Sequence, residues 1–192
     1  MNTIEIQAYS FSELSESVQE KLINENLDFI YSILNSDFSE RAKQYLSDQG
    51  LDDVDVNYSL SNCQGDGVAF YGTVDASKIA HMLEPKDAKV LSKIKDNVTI
   101  NIYRSNTRYD HYNTMRVYVE LDGYHDRDYT HINKVLERVE QNILQHIQDY
   151  SKELERIGYE DYFDNAFDMA KQDLEAQEYL YSKCGEIIGG ND

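Results

Sequence analysis

Residues 53–74 read DVDVNYSLSNCQGDGVAFYGTV. In the first half Val54, Val56, Tyr58 and Leu60 alternate with Asp53, Asp55, Asn57 and Ser59. A β-strand would put the apolar set on one face and the polar set on the other. Residues 67–74 (GVAFYGTV) form a second strand-like run. The connection between them, Cys63-Gln64-Gly65-Asp66-Gly67, carries Asp-Gly, a strong hairpin signal. A hairpin here commits the chain to an antiparallel sheet. Working outward, residues 97–104 (NVTINIYR) set Val98, Ile100 and Ile102 on one face. Residues 112–121 (YNTMRVYVEL) do the same with Met115, Val117 and Val119, then turn at Asp122-Gly123. A short alternating run over 2–9 (NTIEIQAY) adds a further strand, so the expected sheet is antiparallel with four or five strands.

Helical periodicity flanks this sheet on both sides. Leu14, Val18, Leu22 and Ile23 recur at helical spacing after Ser12, with Glu13 and Glu16 in the first turn. A second helix is expected over 27–49, ended by Gly50, with a break near Asn35-Ser36-Asp37. Short helices are expected over 76–83 and 87–95. From Tyr129 to Ile157 an apolar stripe runs through Ile132, Val135, Leu136, Val139, Ile143, Ile147, Tyr150 and Leu154, and Gly158 interrupts it. A last helix over 159–181 places Phe163, Ala166, Phe167, Ala170, Leu174 and Tyr181 on one face. The pattern is α+β: N-terminal helices, a sheet-rich core over about 53–121, and a C-terminal helical hairpin over about 129–182. The lone proline, Pro85, and the lack of Ser/Gly tracts show no inter-domain linker, so a single domain is expected over 1–192.

Charge is the first unusual property. The 192 residues hold 36 acidic against 18 basic side chains, a net of −18. That field repels phosphate backbones and anionic lipid surfaces, and it favours basic ones. Direct nucleic-acid or membrane binding is therefore not expected. Cys63 and Cys184 lie far apart, no stretch reads as a signal peptide, and no apolar run reaches membrane-spanning length. The expectation is a reducing cytoplasm.

Two further stretches sharpen the reading. The chain opens with Phe11-Ser12-Glu13-Leu14-Ser15, and later carries Gln64-Gly65-Asp66-Gly67-Val68-Ala69-Phe70. This pair resembles a group of uncharacterised bacteriophage and mobile-element proteins with an F-x-E-L-S start and a Q-G-D-G-x-x-F hairpin. The resemblance covers residues up to 74. It implies a phage or prophage source and brings no activity with it.

Several constellations invite chemistry, and each has a structural reading beside it. Gln64, Gly65, Asp66 and Gly67 could centre a ligand or hydrolytic site, with Asp66 as metal ligand or acid/base. A tight turn in which Asp66 satisfies nearby amides accounts for the same residues. Cys63 has no base at a recognisable spacing, so no nucleophile is assigned. His125 and His131 flank Asp126 and Asp128, which read more simply as caps for the following helix than as a metal set. No catalytic residue, metal or cofactor is expected.

The acidic end carries the functional expectation. Residues 120–192 hold 18 acids and 7 bases. Glu160, Asp161, Asp164, Asp168, Glu175 and Glu178 fall along the last helix, with Tyr159, Tyr162 and Tyr179 beside them. Carboxylates spaced i,i+4 advance about 6 Å along a helix, comparable with the spacing of phosphates on a nucleic-acid strand. The expected function is a non-catalytic, phage-derived inhibitor of the anti-CRISPR or anti-restriction type. It would act as a DNA mimic, docking on the basic surface of a host nucleic-acid-binding defence protein. A solvated acidic face is the plain reading of the same residues. The alternatives are a ligand site or hydrolase at the 64–67 loop, and a homodimer through a seam on the long helix.

Overall fold

The computed structural model describes residues 7–61, 63–122 and 130–190, without the side chain of Phe163. The expected helix cap at 126–128, its neighbour His125 and most of the strand expected over 2–9 lie outside these residues. In chain order the elements are α1 (Glu16–Asp48), β1 (Val54–Ser59), β2 (Gly67–Val74), α2 (Pro85–Ile94), β3 (Val98–Arg104) and β4 (Met115–Leu121). They continue with α3 (Thr130–Tyr159), a π-helical turn (Glu160–Asn165), α4 (Ala166–Ala176), β5 (Leu180–Tyr181) and β6 (Ile187–Gly189). The fold is α+β, and β1 to β4 form one antiparallel meander in sequence order.

The chain divides into two compact units. The terminal unit comprises Met1–Asp37 and Tyr159–Asp192, and the sheet unit comprises Phe38–Gly158.

Within the sheet unit the register confirms the alternation read from the sequence. Tyr58 pairs with Val68, Val56 with Phe70, Ile102 with Val117 and Ile100 with Val119. The apolar residues thus share one face, while Tyr103 and Tyr118 stand exposed on the other. That apolar face meets the α3 stripe, of which Val135, Leu136, Val139, Ile143, Ile147 and Leu154 are all buried. Burying each such side chain contributes about 1.5–3 kcal/mol. The stripe is consumed inside the chain, so α3 offers no exposed apolar seam for a second copy among the described residues. One buried charge is fully matched. Asp87 on α2 accepts from Arg138 Nε at 2.9 Å and Nη2 at 2.6 Å, and this guanidinium holds its carboxyl below the usual range.

The terminal unit has its own core, in which Phe11, Leu14, Leu22, Ile23, Ile30 and Leu34 pack with Ala166, Ala170, Leu174 and Tyr181.

Three sequence expectations are corrected. The N-terminal helices are one 33-residue helix, starting at Glu16 after Ser15, whose carbonyl accepts from Val18 and Gln19 N–H at 2.9 Å. The expected break near residues 35–37 does not form: the helix runs on through Asn35-Ser36-Asp37, polar residues none of which forbids helix. Gly158 does not interrupt α3. A Cβ there would lie 2.4 Å from Leu60 Cδ1 and 3.2 Å from Phe38, so this glycine serves close packing. The C-terminal helices therefore follow one another through the π-helical turn, without a loop at 158. Finally, α4 stops at Ala176, and Leu180-Tyr181 turn into a small hairpin with β6. Gly185, at φ +90°, makes that turn.

Candidate functional site

The 64–67 loop lies in the sheet unit and joins β1 to β2. Its central side chain is fully engaged: Asp66 accepts from Ser59 Oγ (2.7 Å), Ser61 N–H (2.7 Å) and Oγ (3.0 Å), and Cys63 N–H (2.7 Å). Burial alone would raise its pKa, but the hydrogen bonds from Cys63, Ser59 and Ser61 outweigh it and hold the carboxyl below its ordinary value. Both glycines are required by what packs on them. A Cβ on Gly65 (φ +94°) would fall 2.2 Å from the Tyr109 ring, and one on Gly67 would meet the Asp110 carbonyl at 2.7 Å and Glu155 Oε2 at 3.0 Å. Asp110 is itself paired with Arg104. The loop is thus a hairpin clamped by residues 109–110 and by α3, which is the turn reading of the sequence made physical.

Beside this clamp an open cleft of about 320 Å³ is lined by Gln64, Gly65, Tyr109, His111, Asn113 and Thr114. His111 Nδ1 accepts from Asn113 N–H at 3.1 Å, which puts the proton of the neutral ring on Nε2. Neither His111 nor Glu155 was singled out from the sequence, since only folding brings 111 and 155 to the hairpin. Burial raises the Glu155 pKa, Asp66 adds to this, and His111 opposes it. A raised native pKa means that ionisation costs stability as pH rises through it. Glu155→Gln is therefore expected to raise the urea midpoint at neutral pH, with the gain vanishing in acid; a lowered midpoint at neutral pH would contradict the assignment. Among the described residues no group of three or more His, Cys, Asp or Glu side chains is placed to hold a metal ion.

The acidic candidates all fall in the terminal unit. Glu160, Asp161 and Asp164 lie on the π-helical turn, Asp168 and Glu175 on α4, and Glu178 two residues beyond its end. Glu160, Asp164, Asp168, Glu175 and Glu178 are exposed, and Asp161 is half-buried. Lys171 stands between Asp168 and Glu175, so the row is less uniform than its spacing alone indicated. Tyr162 is committed to the interior: it stacks on Tyr31 with centroids 5.7 Å apart and donates its hydroxyl to Asn35. Tyr159 is half-buried as well.

Division of the chain concentrates the charge further than sequence order did. The terminal unit holds 16 carboxylates against three cations, Lys21, Lys171 and Lys183, a net of −13 that leaves −5 for the sheet unit. Among the described residues, six of the eight exposed large apolar side chains are there too: Phe29, Ile33, Phe167, Leu180, Ile187 and Ile188. A concavity of about 590 Å³ in this unit is lined by Ser10, Phe11, Ser12, Leu174, Glu175, Glu178, Tyr179 and Leu180. The sequence reading found Glu175 and Glu178 but missed the cleft, because residues 10–12 and 174–180 meet only on folding. No helix among the described residues is long and apolar enough to cross a membrane.

No curated protein and no solved structure matches the chain. A family model, described as "Domain of unknown function (DUF8835)", matches residues 24–165, which include the 64–67 hairpin, the meander, α3 and most of α1. On that match the chain belongs to the DUF8835 family.

Proposed function

We propose that the protein is a non-catalytic binding protein whose terminal unit docks on a basic, nucleic-acid-binding surface of another protein. The observation that carries this reading is the charge of that unit, net −13 with only three cations. Its 16 carboxylates outnumber its own cations by 13, which gives the unit a strongly negative field. Charge alone would serve solubility. Here it accompanies six exposed large apolar side chains, and a protein interface needs both, an apolar centre for affinity and complementary charge for steering. The engaged state of Asp66 supports a non-catalytic reading, since each of its hydrogen bonds goes to its own hairpin. The phage-like opening and hairpin motifs point the target towards a host defence protein, so that the carboxylates displace DNA or RNA from its Lys/Arg groups.

The test is displacement. A basic nuclease of a restriction or defence complex is loaded with fluorescent duplex DNA and titrated with the protein. The expected result is release of the duplex, weakening as salt is added. Retention of the duplex across a panel of such nucleases would overturn the proposal.

A further inference from the structure

We infer that two copies of the chain pair edge to edge through β4, so that one sheet runs across both. The meander ends at β4, and no described residue pairs with its outer side. The register with β3 says which backbone groups are left over. Asp122 N–H donates to the Asn97 carbonyl and Ser105 N–H to the Thr114 carbonyl. Even-numbered residues of β4 therefore turn their backbone groups towards β3, and odd-numbered ones turn theirs outward. Met115 is satisfied locally: its N–H donates to Tyr112, and its carbonyl accepts from Arg116 Nη1 at 2.7 Å. Val117 and Val119 have no such partner among the described residues. An edge that stays single is commonly guarded by a proline, a bulge or an inward-pointing charge. β4 has none of these: its register is unbroken, and its inward residues Met115, Val117 and Val119 are apolar and buried.

The strand itself selects a second copy as the occupant. Met115-Arg116-Val117-Tyr118-Val119-Glu120-Leu121 is a chemical palindrome, symmetric about Tyr118 except that opposite charges stand at 116 and 120. A two-fold axis at Tyr118 sets the whole of one strand antiparallel against the whole of the other. Val117 and Val119 of each copy then exchange N–H···O=C bonds with Val119 and Val117 of the second. On the outer face Arg116 stands opposite Glu120 of the second copy, twice over, and Tyr118 opposite Tyr118; all three side chains are exposed. Among the described residues Arg116 engages Nη1 alone, on the Asn113 and Met115 carbonyls, which leaves Nε and Nη2 to meet a carboxylate. β1, at the other end of the sheet, carries Asp55 as its single charge, so two copies meeting there would have no opposite charges to pair. The net charge of −18 opposes self-association at long range, and physiological salt screens that repulsion beyond about 8 Å while leaving the short-range match intact.

The test is the mass of the full chain in physiological salt, read by sedimentation velocity over a concentration series. The expected result is conversion from one-chain to two-chain mass as concentration rises. Arg116→Glu sets carboxylates against carboxylates and is expected to weaken the dimer at least about tenfold; Arg116→Glu with Glu120→Arg restores both pairs and should bring the affinity back to within about threefold. Opposed residues of a non-hydrogen-bonded pair stand about 4.5 Å apart at Cα, a disulfide distance. With Cys63→Ser and Cys184→Ser in place, Tyr118→Cys is therefore expected to give a disulfide-linked dimer on oxidation. Arg116→Cys, which lies opposite Glu120 rather than itself, is expected to give none. One-chain mass throughout the series would overturn the inference, and so would a dimer that Arg116→Glu does not weaken or that Tyr118→Cys does not link. Each of these outcomes leaves the docking reading standing, because its carboxylates belong to the terminal unit and β4 to the sheet unit.

Discussion

Asp66→Ala is expected to lower the stability of the sheet unit by about 2–3 kcal/mol, read as a fall in the urea midpoint. The substitution strips an ionised acceptor from two backbone N–H groups, those of Ser61 and Cys63, and from two hydroxyls, those of Ser59 and Ser61. Bonds to a charged acceptor are worth about 1.5–3 kcal/mol each, and water recovers part of that at a half-exposed loop. The hairpin would also lose the conformation that seats Gly65 under Tyr109. The pH dependence follows from the lowered native pKa. Such a carboxylate stabilises the native state above the ordinary carboxylate range, and that contribution is lost as pH falls through the native value. The gap between the unaltered protein and Asp66→Ala should therefore close in acid. Unchanged stability at neutral pH would mean that Asp66 is held for chemistry rather than for the turn.

Neutralising the terminal unit should have the larger effect on binding. Asp164→Asn, Asp168→Asn and Glu175→Gln remove three exposed charges from a unit with a net of −13. Against a basic nucleic-acid-binding domain at low salt, the expected loss is on the order of tenfold, from the ion pairs lost at the interface and the weakened steering field. A matched triple in the sheet unit, Asp55→Asn, Asp96→Asn and Glu120→Gln, also removes three exposed charges. Lying on the other unit, it should cost only a few-fold, the size of a screened long-range contribution. The comparison separates a located interface from a diffuse one, because the change in total charge is identical.

Local periodicity made the meander legible. Val54 to Leu60, Val98 to Ile102 and Met115 to Val119 each declare a buried face by alternation, and the Asp-Gly connection fixes how the first two strands pair. The α3 stripe was equally clear. Where the reading failed, the residue had a long-range reason. Gly158 looked like a stop until Leu60 and Phe38 were found against it. Asn35-Ser36-Asp37 looked like a break in the helix, yet polar residues on a long helix need only a solvated face. Leu180-Tyr181 lies too close to the end of an amphipathic run to separate strand from helix by pattern alone. The candidate site was half legible. Charge counting found Glu175 and Glu178, but a cleft made of residues 10–12 and 174–180 leaves no trace in sequence order. Likewise, the −13 of the terminal unit appears only once Met1–Asp37 is grouped with Tyr159–Asp192.

The docking account reduces to a statement about ions: binding to a basic surface releases or excludes salt in proportion to the carboxylates engaged. Measuring the affinity for one basic nucleic-acid-binding domain over a series of salt concentrations tests it most directly. The predicted result is an affinity that falls steeply with salt for the unaltered protein and for the sheet-unit triple, and distinctly less steeply for the terminal-unit triple. A salt-independent affinity, or the same slope for all three proteins, would contradict it.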